Sequence, residues 1–222
     1  MTTDQAGKKS VIVNDLLENC AAGLRIQGQV IRVIFQHRPN LLEGDVVFVN
    51  RLAYNLKIPL TDVVLARTGE PRRGDIVTFS SPRDGTRLIK RIVALPGDVV
   101  EMRDEVLLID GRTASYSNPS LVVEPRQHGD TQALRVTESI GRDRRRVQLL
   151  AGVSALSSFG QVRVPDDMYL MLGDNRDDSA DSRYFGFVPR RLLIGHAERV
   201  LVSADILGNW QPRFARFWRR LQ

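Results

Sequence analysis

The sequence predicts a mostly β, antiparallel fold with few short helices. Three observations carry this. First, a Gly-Asp pair introduces an apolar, β-branched run three times, at Gly44-Asp45-Val46-Val47-Phe48-Val49, Gly74-Asp75-Ile76-Val77-Thr78-Phe79 and Gly97-Asp98-Val99-Val100. Glycine supplies the turn and the β-branched residues supply the strand. Second, Val106-Leu107-Leu108-Ile109 runs into Asp110-Gly111, a strand entering a hairpin turn. Third, residues 88–95, 168–172 and 198–203 are short apolar or alternating runs of strand length. The segment 14–23 is the one convincing helix pattern.

A chain of 222 residues with 42% hydrophobic content has enough apolar material for a core, which excludes global disorder. The net charge of +6 and a pI of about 10 suit an anionic partner. Neither zinc-finger spacing nor a glycine-rich phosphate loop is present, and no nucleic acid partner is expected. The single cysteine, Cys20, excludes an internal disulfide. His37, His128 and His196 are too scattered to suggest a metal cluster. A bilayer span needs about 20 mainly apolar residues. The stretch 30–35 is short and contains Arg32, while 147–162 is uncharged but too polar. No secretory signal pattern stands at the N-terminus, so the sequence as written reads as a soluble chain.

Residues 112–146 differ in texture. Prolines, serines and the cluster Arg142-Asp143-Arg144-Arg145-Arg146 suggest a solvated insertion, the cluster being either an exposed face or a contact for an anionic surface. The C-terminal stretch from Trp210 to Arg220 mixes aromatic rings and arginines. That composition suits a membrane interface, packing onto the body of the protein or, less well, base stacking.

Two segments point to chemistry. Of the 32 lysines and arginines only four are lysines, and one, Lys90, sits inside the apolar run 88–95. A lysine there, unlike an arginine, can lose its proton, because burial penalises the ammonium. It is either a base or a strand lysine whose head reaches water. The second segment, residues 173–183, holds four carboxylates, two arginines, an asparagine and two serines. Such a stretch is buried only if its groups pair with one another. It reads as an exposed loop, a Ca²⁺ loop with poor spacing, or a hydrogen-bonded platform beside an active site. In the platform reading, Ser179 orients a neutral lysine amine and Asp181 holds Arg183 or Arg176.

Together these pieces resemble the type I signal peptidases, serine endopeptidases that remove signal peptides from exported proteins. Four blocks carry the likeness: Pro39-Asn40-Leu41-Leu42-Glu43-Gly44-Asp45 with Val49 to Tyr54; Arg73-Gly74-Asp75-Ile76-Val77; Ile89-Lys90-Arg91-Ile92-Val93 through Leu95-Pro96-Gly97-Asp98; and Gly173 to Pro189, with Tyr184-Phe185-Gly186-Phe187-Val188-Pro189. The likeness runs from about Arg38 onward and is weakest across the insertion. It implies two antiparallel β-sheet regions, a catalytic core with a second β region inserted. The implied division is 1–37 as a divergent N-terminal segment, 38–98 and 164–206 as catalytic core, 99–163 as an inserted β/loop region, and 207–222 as a basic aromatic tail. The resemblance further implies a Ser/Lys dyad with Lys90 as general base and with Ser179 and Asp181 in support. No metal or organic cofactor is implied. The implied partners are signal peptides of exported preproteins and an anionic membrane surface. The implied location is the cytoplasmic membrane, with the catalytic domain on the extracytoplasmic side, although no transmembrane anchor is evident in the chain as written.

The departure lies at the nucleophile. The family pattern Ser-Met-x-Pro-Thr/Asn-Leu falls on Gln36-His37-Arg38-Pro39-Asn40-Leu41. Gln36 stands where the serine belongs, and Ile34 stands where a family residue helps form the oxyanion hole. Asp178 stands where asparagine is commoner. A carboxamide cannot attack, and loss of the nucleophile lowers turnover by roughly 10⁶-fold, so negligible cleavage is expected. Phe35-Gln36-His37 written TTC CAG CAT and read one base later gives Ser-Ser-Met, once a following G is restored. A single-base deletion would thus account for both the lost serine and the lost anchor; a diverged paralogue is the alternative. Two other functions stay open: a non-catalytic β-rich peptide- or membrane-surface-binding paralogue, and a different hydrolase using His196 with Ser203 or Ser182.

Overall fold

The computed structural model describes residues 28–32, 38–58, 63–125, 129–206 and 209–221. The predicted helix over 14–23, Ile34 and Gln36 lie outside the described residues. In chain order the strands are β1 (Gly28–Arg32), β2 (Asp45–Asn50), β3 (Asn55–Lys57), β4 (Val64–Arg67), β5 (Ile76–Ser80), β6 (Arg87–Ala94), β7 (Val99–Arg103) and β8 (Val106–Ile109). There follow β9 (Arg112–Thr113), β10 (Ser115–Glu124), β11 (Thr131–Ile140), β12 (Asp143–Leu150), β13 (Phe159–Arg163), β14 (Met168–Leu172), β15 (Val188–Pro189) and β16 (Leu193–Ser203). One α-helical turn, α1 (Ser182–Phe185), sits between β14 and β15.

The fold is mostly β, as the sequence predicts, and the strand pairings are antiparallel. Seven strands form the main sheet in the order β1-β2-β16-β5-β6-β14-β15. The chain between β6 and β14 builds two smaller sheets, β13-β7-β8-β9 and β10-β11-β12, and β3 pairs with β4 as a separate hairpin.

The three Gly-Asp pairs make one recurring turn. Gly44, Gly74 and Gly97 have φ of 86°, 94° and 88°, the left-handed third position that favours glycine. Each following aspartate closes the turn twice. Its N–H donates back to the carbonyl of Leu42, Arg72 or Leu95 at 3.0, 3.2 and 3.1 Å. Its carboxylate accepts the N–H of the same residue at 2.8, 2.9 and 2.6 Å. The turn therefore ends one strand's approach and launches β2, β5 and β7 with fixed register.

β6 is buried along nearly its whole length because sheet neighbours flank it and apolar clusters cover both faces. Val77, Phe79, Leu88, Ile92, Tyr169 and Met171 pack on one face. Leu41, Val47, Val49 and Ile89 form a second cluster, and Val93, Val100, Met102, Leu107 and Leu172 belong to a third, toward the small four-stranded sheet. A fully buried side chain of this size contributes about 1.5–3 kcal/mol, so Phe79 and Ile92, both 0% exposed, are strong anchors.

Two expectations change. Residues 112–146, read as a solvated insertion, are built largely of strands, with β10 and β11 running ten residues each, and are only partly solvated. Arg145 is buried rather than exposed, its Nε donating to Glu138 Oε1 at 2.5 Å. Arg135 bridges Gln148 and the fully buried Glu124 at 2.8 and 3.0 Å. Charged side chains form a paired polar layer there, a pattern that hydrophobic alternation does not reveal. The strand predicted over 198–203 begins at Leu193, because its first half pairs with β5 and its second half with β2.

The C-terminal stretch packs onto the body through its arginines. Arg216 donates to both oxygens of Asp45, at 3.0 and 2.5 Å, and to the Asn40 carbonyl at 2.9 Å. Arg213 reaches the carbonyls of Glu43 and Ala204. The rings of Trp210, Phe214 and Trp218 stay exposed.

Candidate active site

Lys90 lies in the middle of β6, paired with Val77 of β5. Strand alternation puts it on the face of Leu88 and Ile92. On the other side of β6, β14 pairs through Leu170, Met171 and Leu172, the last opposite Arg91. The chain then turns away at Gly173, and the loop that follows brings Ser179 to the end of the lysine. Lys90 is only 7% exposed. Its Nζ donates to Ser179 Oγ at 2.9 Å. Burial pushes its pKa from 10.5 down to about 8; Asp181 opposes the fall, while Arg183 reinforces it.

The loop belongs to the interior. Asn175, Arg176 and Asp177 are buried, which excludes a simple exposed loop. The last strand of the inserted sheet, β12, holds them: the N–H of Gln148 donates to the Asp174 carbonyl at 2.8 Å, and that of Leu150 donates to Asp177 Oδ2 at 2.6 Å. Arg176 is paired with Glu138 at 2.7 Å, not with Asp181.

Asp181 is fully buried and takes Arg183 in a two-pronged contact, with Nε at 2.9 Å and Nη2 at 2.8 Å. It also accepts the N–H of Gly173 at 3.0 Å and the N–H of Arg183 at 3.2 Å, the latter capping α1. Burial alone would push its carboxyl up. The hydrogen bond and charge of Arg183, the Lys90 charge and the Gly173 N–H outweigh this and hold it below the usual carboxylate range.

Two further contributors carry no signal as a motif on their own. Asp174 grips Arg91 through Nε and Nη2, both at 2.8 Å, and accepts Asn40 Nδ2 at 2.6 Å. Burial would raise the Asp174 carboxyl, but Arg91 and Asn40 hold it low. This contact ties the turn carrying Pro39-Asn40 to the strand carrying Lys90. Gly173 is the other contributor: a Cβ placed there would lie 2.1 Å from Ser179 Oγ. Only a residue without a side chain lets the serine stand where it meets the lysine.

Lys90, Ser179 and Asp181 thus come together from segments far apart in sequence, whereas Gln36 lies outside the described residues. The His196 alternative finds no serine. The His196 ring stands 3.9 Å from Asp75 and 6.1 Å from the Tyr54 ring. Ser182 Oγ instead accepts the Met171 N–H at 2.8 Å. Ser203 is seven residues along the same strand, about 23 Å away at 3.3 Å per residue. Among the described residues no helix is long and apolar enough to cross a membrane.

The family model described as "Signal peptidase, peptidase S26" matches residues 29–202. A signal peptidase I of Buchnera aphidicola is 30% identical over 217 residues, spanning 82% of this chain and 70% of that protein. One from Pseudomonas fluorescens is 34% identical over 178 residues, spanning 75% of this chain and 61% of that protein. A crystal structure of a signal peptidase I from Enterococcus faecalis shares 34% identity, over 57% of this chain and 96% of that one, with a TM-score of 0.36. On the family match and the Buchnera relative, this chain belongs to the signal peptidase family, peptidase S26.

Proposed function

We propose that this chain is a signal peptidase I-like serine endopeptidase by descent, built to remove signal peptides from exported proteins by a Ser/Lys mechanism. The carrying observation is the buried Lys90 amine, lowered to about 8 and 2.9 Å from Ser179 Oγ. A base must be neutral to accept a proton, and this environment leaves about a tenth of the amine neutral at pH 7, against well under a thousandth for an ordinary lysine. In the intact reaction, a serine hydroxyl at position 36 attacks the scissile carbonyl as Lys90 Nζ takes its proton. Lys90 then delivers that proton to the leaving amine, and water hydrolyses the acyl-enzyme with the lysine again as base. Ser179 fixes the direction of the amine, and Asp181 fixes the loop that carries Ser179. No step calls for a metal or an organic cofactor.

Because Gln36 aligns with the family's attacking serine, negligible turnover is expected of the chain as written. The test gives the purified chain and its Gln36→Ser variant a peptide with small residues before the scissile bond. Cleavage by the variant alone, abolished by adding Lys90→Met, supports the reading. Cleavage by the unmodified chain contradicts it. Gln36 also favours a second reading, a non-catalytic β-rich paralogue that binds peptides or a membrane surface. That reading predicts peptide binding without cleavage in both proteins.

A further inference from the structure

β12 and the C-terminal stretch enclose a cavity of about 480 Å³, lined by Asn40, Thr137, Arg144, Arg145, Arg146, Arg219, Arg220 and Leu221. Five of these eight residues are arginines and none is a carboxylate. The fold brings the arginines together from β12 and from the C-terminal stretch. Hydrogen bonding of Val200 N–H to the Arg219 carbonyl at 2.8 Å, with Arg220 bridged to Arg199, lays the chain end along β16. The side-chain amide of Asn40 donates to the Arg146 carbonyl at 2.9 Å and fixes the other wall.

Such a concentration of like charge is unfavourable unless something compensates it. The protein compensates little of it. Arg144, Arg146, Arg219 and Arg220 are exposed, and none has a carboxylate partner among the described residues. Arg145 is 5% exposed; its Nη2 is ion-paired with Glu138, and its Nη1 makes no hydrogen bond. Its one carboxylate, Glu138, is shared with Arg176. A buried guanidinium nitrogen with no hydrogen-bond partner, beside four more guanidinium groups, suits an anion. Planar forks of N–H donors match the oxygens of a phosphoryl group, and the volume lies within the roughly 300–1,000 Å³ of small-molecule sites.

We propose that this cavity binds a phosphoryl anion, either a phospholipid headgroup or a free phosphate compound. The proposal does not rest on peptidase activity. The full-length protein is titrated with inorganic pyrophosphate by calorimetry, and separately sedimented with phosphatidylcholine vesicles with and without phosphatidylglycerol. The test variant is Arg144→Ala/Arg219→Ala. The control, Arg83→Ala/Arg112→Ala, removes the same charge from exposed positions outside the cavity. The cavity pair is expected to lose about thirtyfold in affinity, or about 2 kcal/mol at 1.4 kcal/mol per decade, with the control changing much less. Arg220→Glu should weaken binding further. Loss confined to anionic vesicles assigns the phosphoryl group to a lipid; loss of pyrophosphate binding assigns the site to free phosphate compounds. Failure of the native protein to bind either probe, or equal losses in the two pairs, overturns the site.

Discussion

Replacing Lys90 with methionine keeps a long unbranched stem and removes the titrating amine. The fall of the lysine pKa from 10.5 to about 8 means that the buried ammonium costs about 3 kcal/mol relative to the unfolded chain. The sign follows from the proton count. Between the two values the unfolded chain holds the proton and the folded chain does not, so native stability climbs as pH rises through that window. Below about 8 both states are protonated and the full cost is present. Methionine relieves it but forfeits the Ser179 hydrogen bond, worth about 1 kcal/mol. Lys90→Met should therefore be more stable than the native chain by about 2 kcal/mol at about pH 7, and should lose that advantage toward about pH 10.5. Paired urea titrations at several pH values measure the difference, in which the tyrosines and other lysines cancel. A stability difference that stays flat across this range would refute the buried-amine argument.

Three other outcomes follow from the contacts. Gly173→Ala should push Ser179 off the lysine, since its Cβ would sit 2.1 Å from Ser179 Oγ; a Lys90 titration that leaves its native midpoint in this variant is the readout. Asp174→Ala removes the carboxylate that Arg91, 2% exposed, grips through two nitrogens, and should cost about 3–5 kcal/mol of unfolding free energy in urea. In a Gln36→Ser background, Ser179→Ala should lower kcat by roughly 10²-fold with KM unchanged, the effect of a misdirected base.

Where local chemistry sets the structure, the sequence is legible. The Gly-Asp turns announce β2, β5 and β7 because a left-handed glycine and a carboxylate closing onto its own turn act within four residues. Lys90 stands out because a charged residue interrupts an apolar run, and the composition of 173–183 shows that its groups must pair. Other features depend on contacts that composition does not encode. β10 to β12 escape notice because Arg135 and Arg145 are neutralised by Glu124 and Glu138, seven or more residues away on neighbouring strands. The Asn40–Asp174 contact joins residues 134 apart in sequence, and Gly173 matters only because Ser179 folds back over it. In the C-terminal stretch, composition alone leaves packing and surface exposure as rivals. The structure divides them by residue, with Arg213 and Arg216 turned inward and Phe214 and Trp218 turned outward.

With only Lys8, Lys9, Lys57 and Lys90 in the chain, the amines can be followed one by one by NMR in protein carrying ¹³C-labelled lysine. One resonance, lost in Lys90→Met, is expected to titrate with a midpoint near 8. A Lys90 resonance titrating near 10.4, the value of a free lysine side chain, would contradict the buried amine.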